Sequence, residues 1–349
     1  MNRKIVYVGF EFPHHKGTHA GYHQIKKVLN YDYVIDCQKY FEKCQSPVHA
    51  IILRVKRRIV NKLLGTNVVP WYLFRIIWLG LLHNNLTFHF IYGENIFFPW
   101  VKCFLRKGNV VVCTFHQPYS CFEKDEKRKK LILKSDSIIL VGKSEVELFE
   151  KMTGMKNVFF IPHGIDTNFY HPDPSIIKEH VVFTVGNWLR DYEFADRIYM
   201  KLLSMDDKLI VNVVSNIHNE KKLTKHKRLH FYTGITDDEL LRLYQSCEVL
   251  FLPLCRYTAN NSLLEASATG CKIVISSDYQ DNSYIPSSLL TLVPMDEDIV
   301  VKAILELMNK SLYETLSSYV DEHYSWIAVA DKIKSVLYRG EIKTPKFTH

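Results

Sequence analysis

The sequence predicts an α/β protein built from two doubly wound parallel-sheet domains. Three observations lead there. Short β-branched runs alternate with helical patterns along the whole chain. The runs are apolar with little interruption and are bounded by turn residues, as expected of strands buried on both faces. The alternation happens twice, and the two series are separated by HPDPSIIKEH, where Pro172 and Pro174 break the pattern.

In the first series the expected strands are KIVYVGF from Lys4, YVIDC from Tyr33, FHFIYG from Phe88, NVVVCTFH from Asn109, SIILVG from Ser137 and VFFIPHG from Val158. AGYHQIKKVL and KSEVELFEKMTG read as helices between them. In the second series the strands are HVVFTVGN, KLIVNVVSN, LHFYTG, CEVLFLPL, KIVISS and LLTLVP. TDDELLRLYQSC and DEDIVVKAILELMNKS are the accompanying helices. The expected domains are therefore 1–172 and 173–325. The amphipathic tail HYSWIAVADKIKSVLY gives a third piece, 326–349, which is expected to cross back to the first domain. A ligand shared by two such domains would sit beyond the C-terminal ends of the strands.

A chain of 349 residues with 47% hydrophobic and 23% charged residues has the composition of folded domains. MNRKIVYVGFEF passes directly into a strand, so no secretory signal is expected. The most apolar stretch, VPWYLFRIIWLGLL at 69–82, contains Arg75 and falls short of the roughly 20 residues a bilayer span needs. The eight cysteines form no C-x-x-C pair and lie in apolar contexts, which favours reduced thiols over a metal site or a disulfide framework. The expected localisation is cytoplasmic, possible peripheral contact with the membrane included.

Charge is unevenly spread. Residues 1–170 hold 25 Lys and Arg against 13 Asp and Glu, and the remainder holds 20 against 24. The halves are expected to meet different partners. AIILRVKRRIVNKLLG, residues 50–65, places Ile52, Val55, Ile59 and Leu63 on one helical stripe, with Arg54, Lys56, Arg57, Arg58 and Lys62 elsewhere. Two readings stand: a basic amphipathic helix on an anionic bilayer surface, or a helix whose stripe packs on the first sheet. Trp71, Tyr72 and Trp78 nearby are residue types that favour membrane interfaces. The basic residues are not interleaved with aromatics in a recognisable binding module, so nucleic acid is not an expected partner.

The most informative stretch is ANNSLLEASATGCKIVISS from Ala259. Ser262 and Glu265 have the spacing of a capping box, in which Glu265 satisfies only a backbone amide. The same spacing allows a ligand site. A helix that starts at the C-terminal edge of a sheet presents N–H groups and a positive dipole end to a phosphate or diphosphate, and Glu265 would accept hydrogen bonds from a ribose diol.

The order TGITDDELLRLYQSCEVLFLPL, then NSLLEASATGCKIVISS, resembles the donor half of family-4 retaining glycosyltransferases of the GT-B fold (glycosyl transferases group 1). VGKSEVELFEKMTGMKNVFFIPHGIDTNFYHPDP is similar to that family's connector, with His163 where an Asn is usual. The resemblance runs from about 136 to 277. It implies two Rossmann-like domains facing a cleft. It implies transfer of a sugar from a UDP- or GDP-sugar to a glycan or glycolipid acceptor, with retention and no metal, in cell-surface polysaccharide or lipopolysaccharide synthesis. No further cofactor is implied.

Carried over by motif, Glu265 would hold the ribose. Asn260, Asn261 and Ser262 would offer amides to the diphosphate, and Ile235 in TGIT would lie on the donor side. The family's first signature glutamate falls on Tyr257, which puts the sugar in doubt and leaves open a catalytically degenerate nucleotide-sugar-binding partner of the same fold; a sugar-nucleotide epimerase is a third reading. Of the family's basic pair, VGNWLRDYEF keeps only Arg190, with Arg256 as a possible second charge. An arginine fork suits phosphate oxygens. In the first domain the resemblance points to His116 in TFHQP near the donor sugar, to Gly17 and Thr18 in HHKGTHAG at the diphosphate, and to Glu94 in IYGEN at the acceptor. Each also has a structural reading: a hydrogen-bonded histidine, an ordinary strand–helix turn, and a carboxylate with no acceptor to meet.

Overall fold

The computed structural model describes residues 3–38, 71–154, 157–255, 260–277, 284–310 and 314–338. The basic segment 50–65, with Arg256 and Tyr257, lies outside the described residues. Two six-stranded sheets organise the chain. The first contains β1 (Lys4–Gly9), β2 (Tyr33–Asp36), β3 (Leu86–Phe90), β4 (Val110–Phe115), β5 (Ser137–Leu140) and β6 (Val158–Phe160) in the order β2-β1-β3-β4-β5-β6. The second contains β7 (Val181–Val185), β8 (Ile210–Val214), β9 (Leu229–Tyr232), β10 (Val249–Pro253), β11 (Lys272–Ser276) and β12 (Thr291–Val293) in the order β12-β11-β10-β7-β8-β9.

All the strand pairings are parallel, with β1 between β2 and β3 and β10 between β7 and β11. The expected strand from Phe88 shifts: β3 begins at Leu86, and Gly93 opens a single helical turn, Gly93–Ile96. The apolar runs follow from the layering. Val181, Phe183 and Val185 of β7 enter one core, and Val182 enters the core on the opposite face. In β10, Leu250 and Leu252 take the first side, Val249 and Phe251 the second. A strand covered on both faces is apolar at most positions, and β7 admits Thr184 only with its hydroxyl donated to the Phe251 carbonyl at 2.8 Å.

Among the described residues, the helices of eight residues or more are α1 (Trp71–Leu82), α2 (Glu126–Lys134), α3 (Glu145–Thr153), α4 (Tyr192–Met205), α5 (Asp237–Ser246), α6 (Asn261–Ala268), α7 (Glu297–Met308), α8 (Glu314–Tyr324) and α9 (Trp326–Leu337). Their starts follow local chemistry. Asp125 caps α2 through the amides of Lys127 and Arg128. Thr236 and Glu239 form a reciprocal capping box on α5.

Helix α9 belongs to the first core. Trp326, Val329, Ala330, Ile333 and Val336 are buried there, and the Leu337 carbonyl accepts the Thr87 hydroxyl at 2.9 Å. The Trp326 ring meets Tyr22 at 5.5 Å and His163 at 5.3 Å. The domains are tied near this point. Tyr284 donates its hydroxyl to the Val141 carbonyl at 2.5 Å and accepts the His163 amide at 2.9 Å. Replacing Trp326 by alanine removes the anchor of α9 and is expected to cost about 3–5 kcal/mol. Equilibrium denaturation measures it; a loss below 1 kcal/mol would show that α9 is not held by this residue.

Candidate functional site

In open α/β sheets the crevice lies where strand order reverses, beyond the strands' C-terminal ends. In the second sheet this point is between β7 and β10. The chain leaves β7 through Gly186 at φ 110°. A Cβ on Gly186 would come within 2.7 Å of Arg190 Nη2, so the glycine admits the guanidinium as well as the turn. Leu189 is left-handed at φ 56°, a conformation that costs a leucine about 1 kcal/mol or more. Its carbonyl accepts the Cys255 amide at 3.0 Å, which ties the loop to the end of β10.

Arg190 is thereby aimed at α6. Its Nη2 donates to Asn260 Oδ1 at 3.1 Å and to Ser262 Oγ at 3.3 Å. Its Nη1 and Nε donate to the carbonyls of Trp188, at 2.7 Å, and Val185, at 3.3 Å. All four acceptors are neutral. Among the described residues no carboxylate pairs directly with Arg190. Asp191, its sequence neighbour, instead caps α4 through the Phe194 amide at 2.9 Å. Burial lowers the guanidinium's pKa, and Tyr192, Tyr244 and Glu265 work against that shift.

The capping-box reading of Ser262 and Glu265 is corrected. Asn260, in extended backbone, is the N-cap and accepts the Leu263 amide through its side chain. Helix α6 therefore begins at Asn261, and Glu265 falls in its second turn. Its carboxylate is 5% exposed and accepts the Tyr244 hydroxyl at 2.8 Å. Burial raises the carboxyl to about 7; Asp237 adds to the rise, while the Tyr244 bond and Arg190 oppose it. Arg190, Asn260, Asn261, Ser262 and Glu265 thus share one helix mouth.

In the first sheet the order reverses between β1 and β3. The loops after β1, β3 and β4 meet there. Glu94 Oε1 accepts the His116 amide at 3.1 Å and lies 3.4 Å from His116 Nδ1. The Glu94 side chain is 4% exposed, and its Oε2 is buried with no hydrogen-bond partner. The His116 ring packs between Tyr22 and Tyr92, with centroids at 4.8 and 4.7 Å.

Gly17 and Thr18, read as approaching a diphosphate, lie in the loop after β1. The Gly17 amide donates to Glu11 Oε1 at 3.1 Å. The Thr18 hydroxyl bonds the His15 carbonyl at 3.0 Å and the Ala20 amide at 3.2 Å and shapes the turn. His163, buried, has its pKa lowered to about 3 by desolvation and bonds the Gly164 carbonyl at 2.6 Å, a structural role.

Sequence reasoning missed Glu11, His19, Asp166 and Tyr244. Glu11 also reaches His23 Nε2 at 3.3 Å. His19 bridges the domains: its amide donates to Asp237 Oδ2 at 2.7 Å, its Nδ1 meets Asp166 Oδ2 at 2.7 Å, and its ring stacks on Phe169 at 3.7 Å. Half-buried Ile235 stands two residues before Asp237, beside this bridge. The position of Glu11 and His19 in the loop after the first strand was the available signal; Tyr244 gave none beyond its place on a helix.

The raised carboxyl of Glu265 has a consequence for stability. The unfolded chain ionises this group near 4.5, the native chain near 7. Between those values the native state holds the proton and the unfolded state does not. Stability from this group is complete below pH 4.5 and is lost as pH rises through 7, by about 3 kcal/mol in total. Glu265→Gln should therefore gain Tm relative to the natural chain at pH 8 and gain little at pH 5. Thermal melts at the two pH values decide it, and a pH-independent difference would contradict the buried carboxyl.

No family model matches the chain, and no curated protein matches it. Solved structures do. The chain is similar to the Anabaena HepE protein in complex with UDP-glucose, with a TM-score of 0.67, 11% identity, and 96% of this chain and 99% of that one covered. It is similar to sucrose-phosphate synthase from Thermosynechococcus elongatus, at TM-score 0.64, 16% identity, and coverage of 97% and 98%. It is also similar to the lipopolysaccharide outer core galactosyltransferase WaaB in its apo form, at TM-score 0.65, 12% identity, and coverage of 96% and 99%. At these identities the likeness establishes architecture: the chain has the GT-B fold, two Rossmann-like doubly wound domains.

Proposed function

We propose that the chain is a glycosyltransferase that moves a sugar from a UDP- or GDP-sugar to a glycan or glycolipid acceptor, with retention and without metal. One observation carries the reading. Arg190 is half-buried, its partners among the described residues are all neutral, and it points at the start of α6. A half-buried cation at a helix mouth, with no carboxylate partner among the described residues, favours a bound anion. The anion proposed is the donor's diphosphate. The similar Anabaena protein was solved with UDP-glucose and with UDP and glucose, which supports that choice.

Breaking the sugar–phosphate bond leaves positive charge on the anomeric carbon and negative charge on the diphosphate. Arg190 and the first-turn amides of α6 meet the growing negative charge from fixed positions, so little reorganisation accompanies reaction. Glu265, ionised, accepts the ribose hydroxyls. His116 and Glu94 serve the transferred sugar and the acceptor from the first domain. Retention follows if the acceptor attacks on the leaving-group face and the diphosphate takes its proton. The reading extends to cell-surface polysaccharide or lipopolysaccharide synthesis by a cytoplasmic, peripherally bound chain. Among the described residues no helix is long and apolar enough to cross a membrane.

The test is release of nucleoside diphosphate from a panel of nucleotide sugars, with and without glycolipid extract. Slow release with one donor, accelerated by acceptor, is expected. Tight binding with no release under any condition identifies a non-catalytic binding partner instead. Arg190→Ala should lower turnover about 10²–10³-fold, and Arg190→Lys should restore part of it. Glu265→Gln should weaken nucleotide binding about 10- to 100-fold at pH 8. The natural chain's own affinity should fall as pH drops below 7, because the protonated carboxyl no longer accepts from two hydroxyls. Affinity flat from pH 8 to 5 would remove Glu265 from the nucleotide site.

A further inference from the structure

The first domain carries an apolar face that the proposed reaction does not use. On α1, Tyr72, Leu73 and Ile76 turn inward, and Tyr72 donates its hydroxyl to the Ile96 carbonyl at 2.9 Å. Trp71 and Trp78 are each 65% exposed, and Phe74, Leu81 and Leu82 are exposed beside them. Val34 of edge strand β2 extends the surface, and a shallow groove of about 620 Å³ runs through it. A water-facing helix normally gives such positions to polar residues. A contiguous aromatic patch marks a contact surface.

The charge around this face selects the partner. Arg75 lines the groove itself. Exposed Arg106 and Lys107 border the end of α1, where the Arg106 amide donates to the Gly80 carbonyl at 3.1 Å. Lys4 Nζ stands 5.7 Å over the Tyr33 ring, another residue of the groove. Asp32, which accepts the Ile5 amide, and Asp36, which accepts the Gln38 amide, remain anionic on this edge, where Lys4, Arg75, Arg106 and Lys107 outnumber them. The face is therefore apolar at its centre and cationic around it, which fits an anionic amphiphilic surface. A helix of 12 residues is about 18 Å long, too short to span hydrocarbon. It can lie in the plane of a bilayer interface, the depth that tryptophan prefers.

We propose that α1 docks the first domain on an anionic lipid bilayer. Trp71 and Trp78 enter the headgroup–acyl boundary, and Arg75 meets lipid phosphate. The inference uses no residue of the sugar-nucleotide site and stands independently of the reaction. If both hold, docking brings the first domain to a lipid-linked acceptor.

The test uses the full chain and vesicles of phosphatidylcholine, alone or mixed with phosphatidylglycerol. Flotation with the mixed vesicles is expected, fading with salt, and brominated lipid should quench tryptophan emission. W71S/W78S should reduce partitioning about tenfold and abolish the quenching, with nucleotide binding unchanged. R75Q should weaken the phosphatidylglycerol-dependent part about fivefold. I177S, at an 85% exposed residue between the domains, should change nothing. If W71S/W78S does not fold, quenching of the natural chain still decides. No flotation, or equal flotation with both vesicles, overturns the proposal. So does a dimer that W71S/W78S converts to monomer without vesicle binding, which would make the face an interface between copies. Shielding of Trp71 and Trp78 from an aqueous quencher in lipid-free protein would show that the chain itself covers them.

Discussion

A half-buried arginine with no direct counter-ion among the described residues is the feature around which the second domain is arranged. Taking a guanidinium out of water is costly unless its charge is answered. Here the answers are dipoles: the carbonyls of Val185 and Trp188, the amide oxygen of Asn260 and the hydroxyl of Ser262. They satisfy the donors without supplying a negative charge, and Glu265 acts on the guanidinium without touching it. The nearby carboxyl, Glu265, is itself driven to about 7 and is only partly ionised at neutral pH. The site keeps positive potential in reserve, and an anionic ligand is the natural complement.

Holding Arg190 in that position shapes the surrounding backbone. Gly186 gives the guanidinium room, and Leu189 accepts a left-handed conformation so that the chain can turn back toward β10. Tyr192 and Ser215 both donate to the Gly186 carbonyl, at 2.5 and 3.1 Å, and fix the turn from the other side. Strain concentrated beside one side chain is worth its cost only where the position of that side chain matters. The sheet order supplies the setting, since Arg190 follows β7 and α6 follows β10 on the two sides of the reversal.

The first domain repeats the geometry with different chemistry. Its reversal gathers Glu94, His116, Glu11 and the loop from Phe10 to Gly21. Glu94 is nearly buried yet leaves one oxygen without a partner, beside an imidazole framed by two tyrosines. His19 carries this loop across to Asp166 and Asp237, so the mouth of the first domain is mechanically joined to α5, whose Tyr244 holds Glu265.

The architecture was largely legible in the linear chain. Apolar runs such as VVVCTF and VLFLP can only be central strands, because local chemistry forbids leaving them in water, and the prolines at 172 and 174 separate the two series. The helix mouth at Asn260 was legible too, since a turn-to-helix signal after a buried strand is local. Which residue caps it was not: Asn260 and Ser262 both have capping side chains and both accept from Arg190, and the backbone decided it, since Asn260 is extended while Ser262 already lies inside the helix. The bond from the Gly17 amide to Glu11, the pairing of Tyr244 with Glu265 and the burial that lifts that carboxyl to about 7 are long-range or collective. So is the split on α1 between a buried Tyr72 and an exposed Trp78, because desolvation depends on what the whole fold places around a group. The sequence by itself determined strands, helices and their alternation, which depend on neighbours in the chain; only the tertiary structure decided charge states, partners and exposed faces, which depend on neighbours in space.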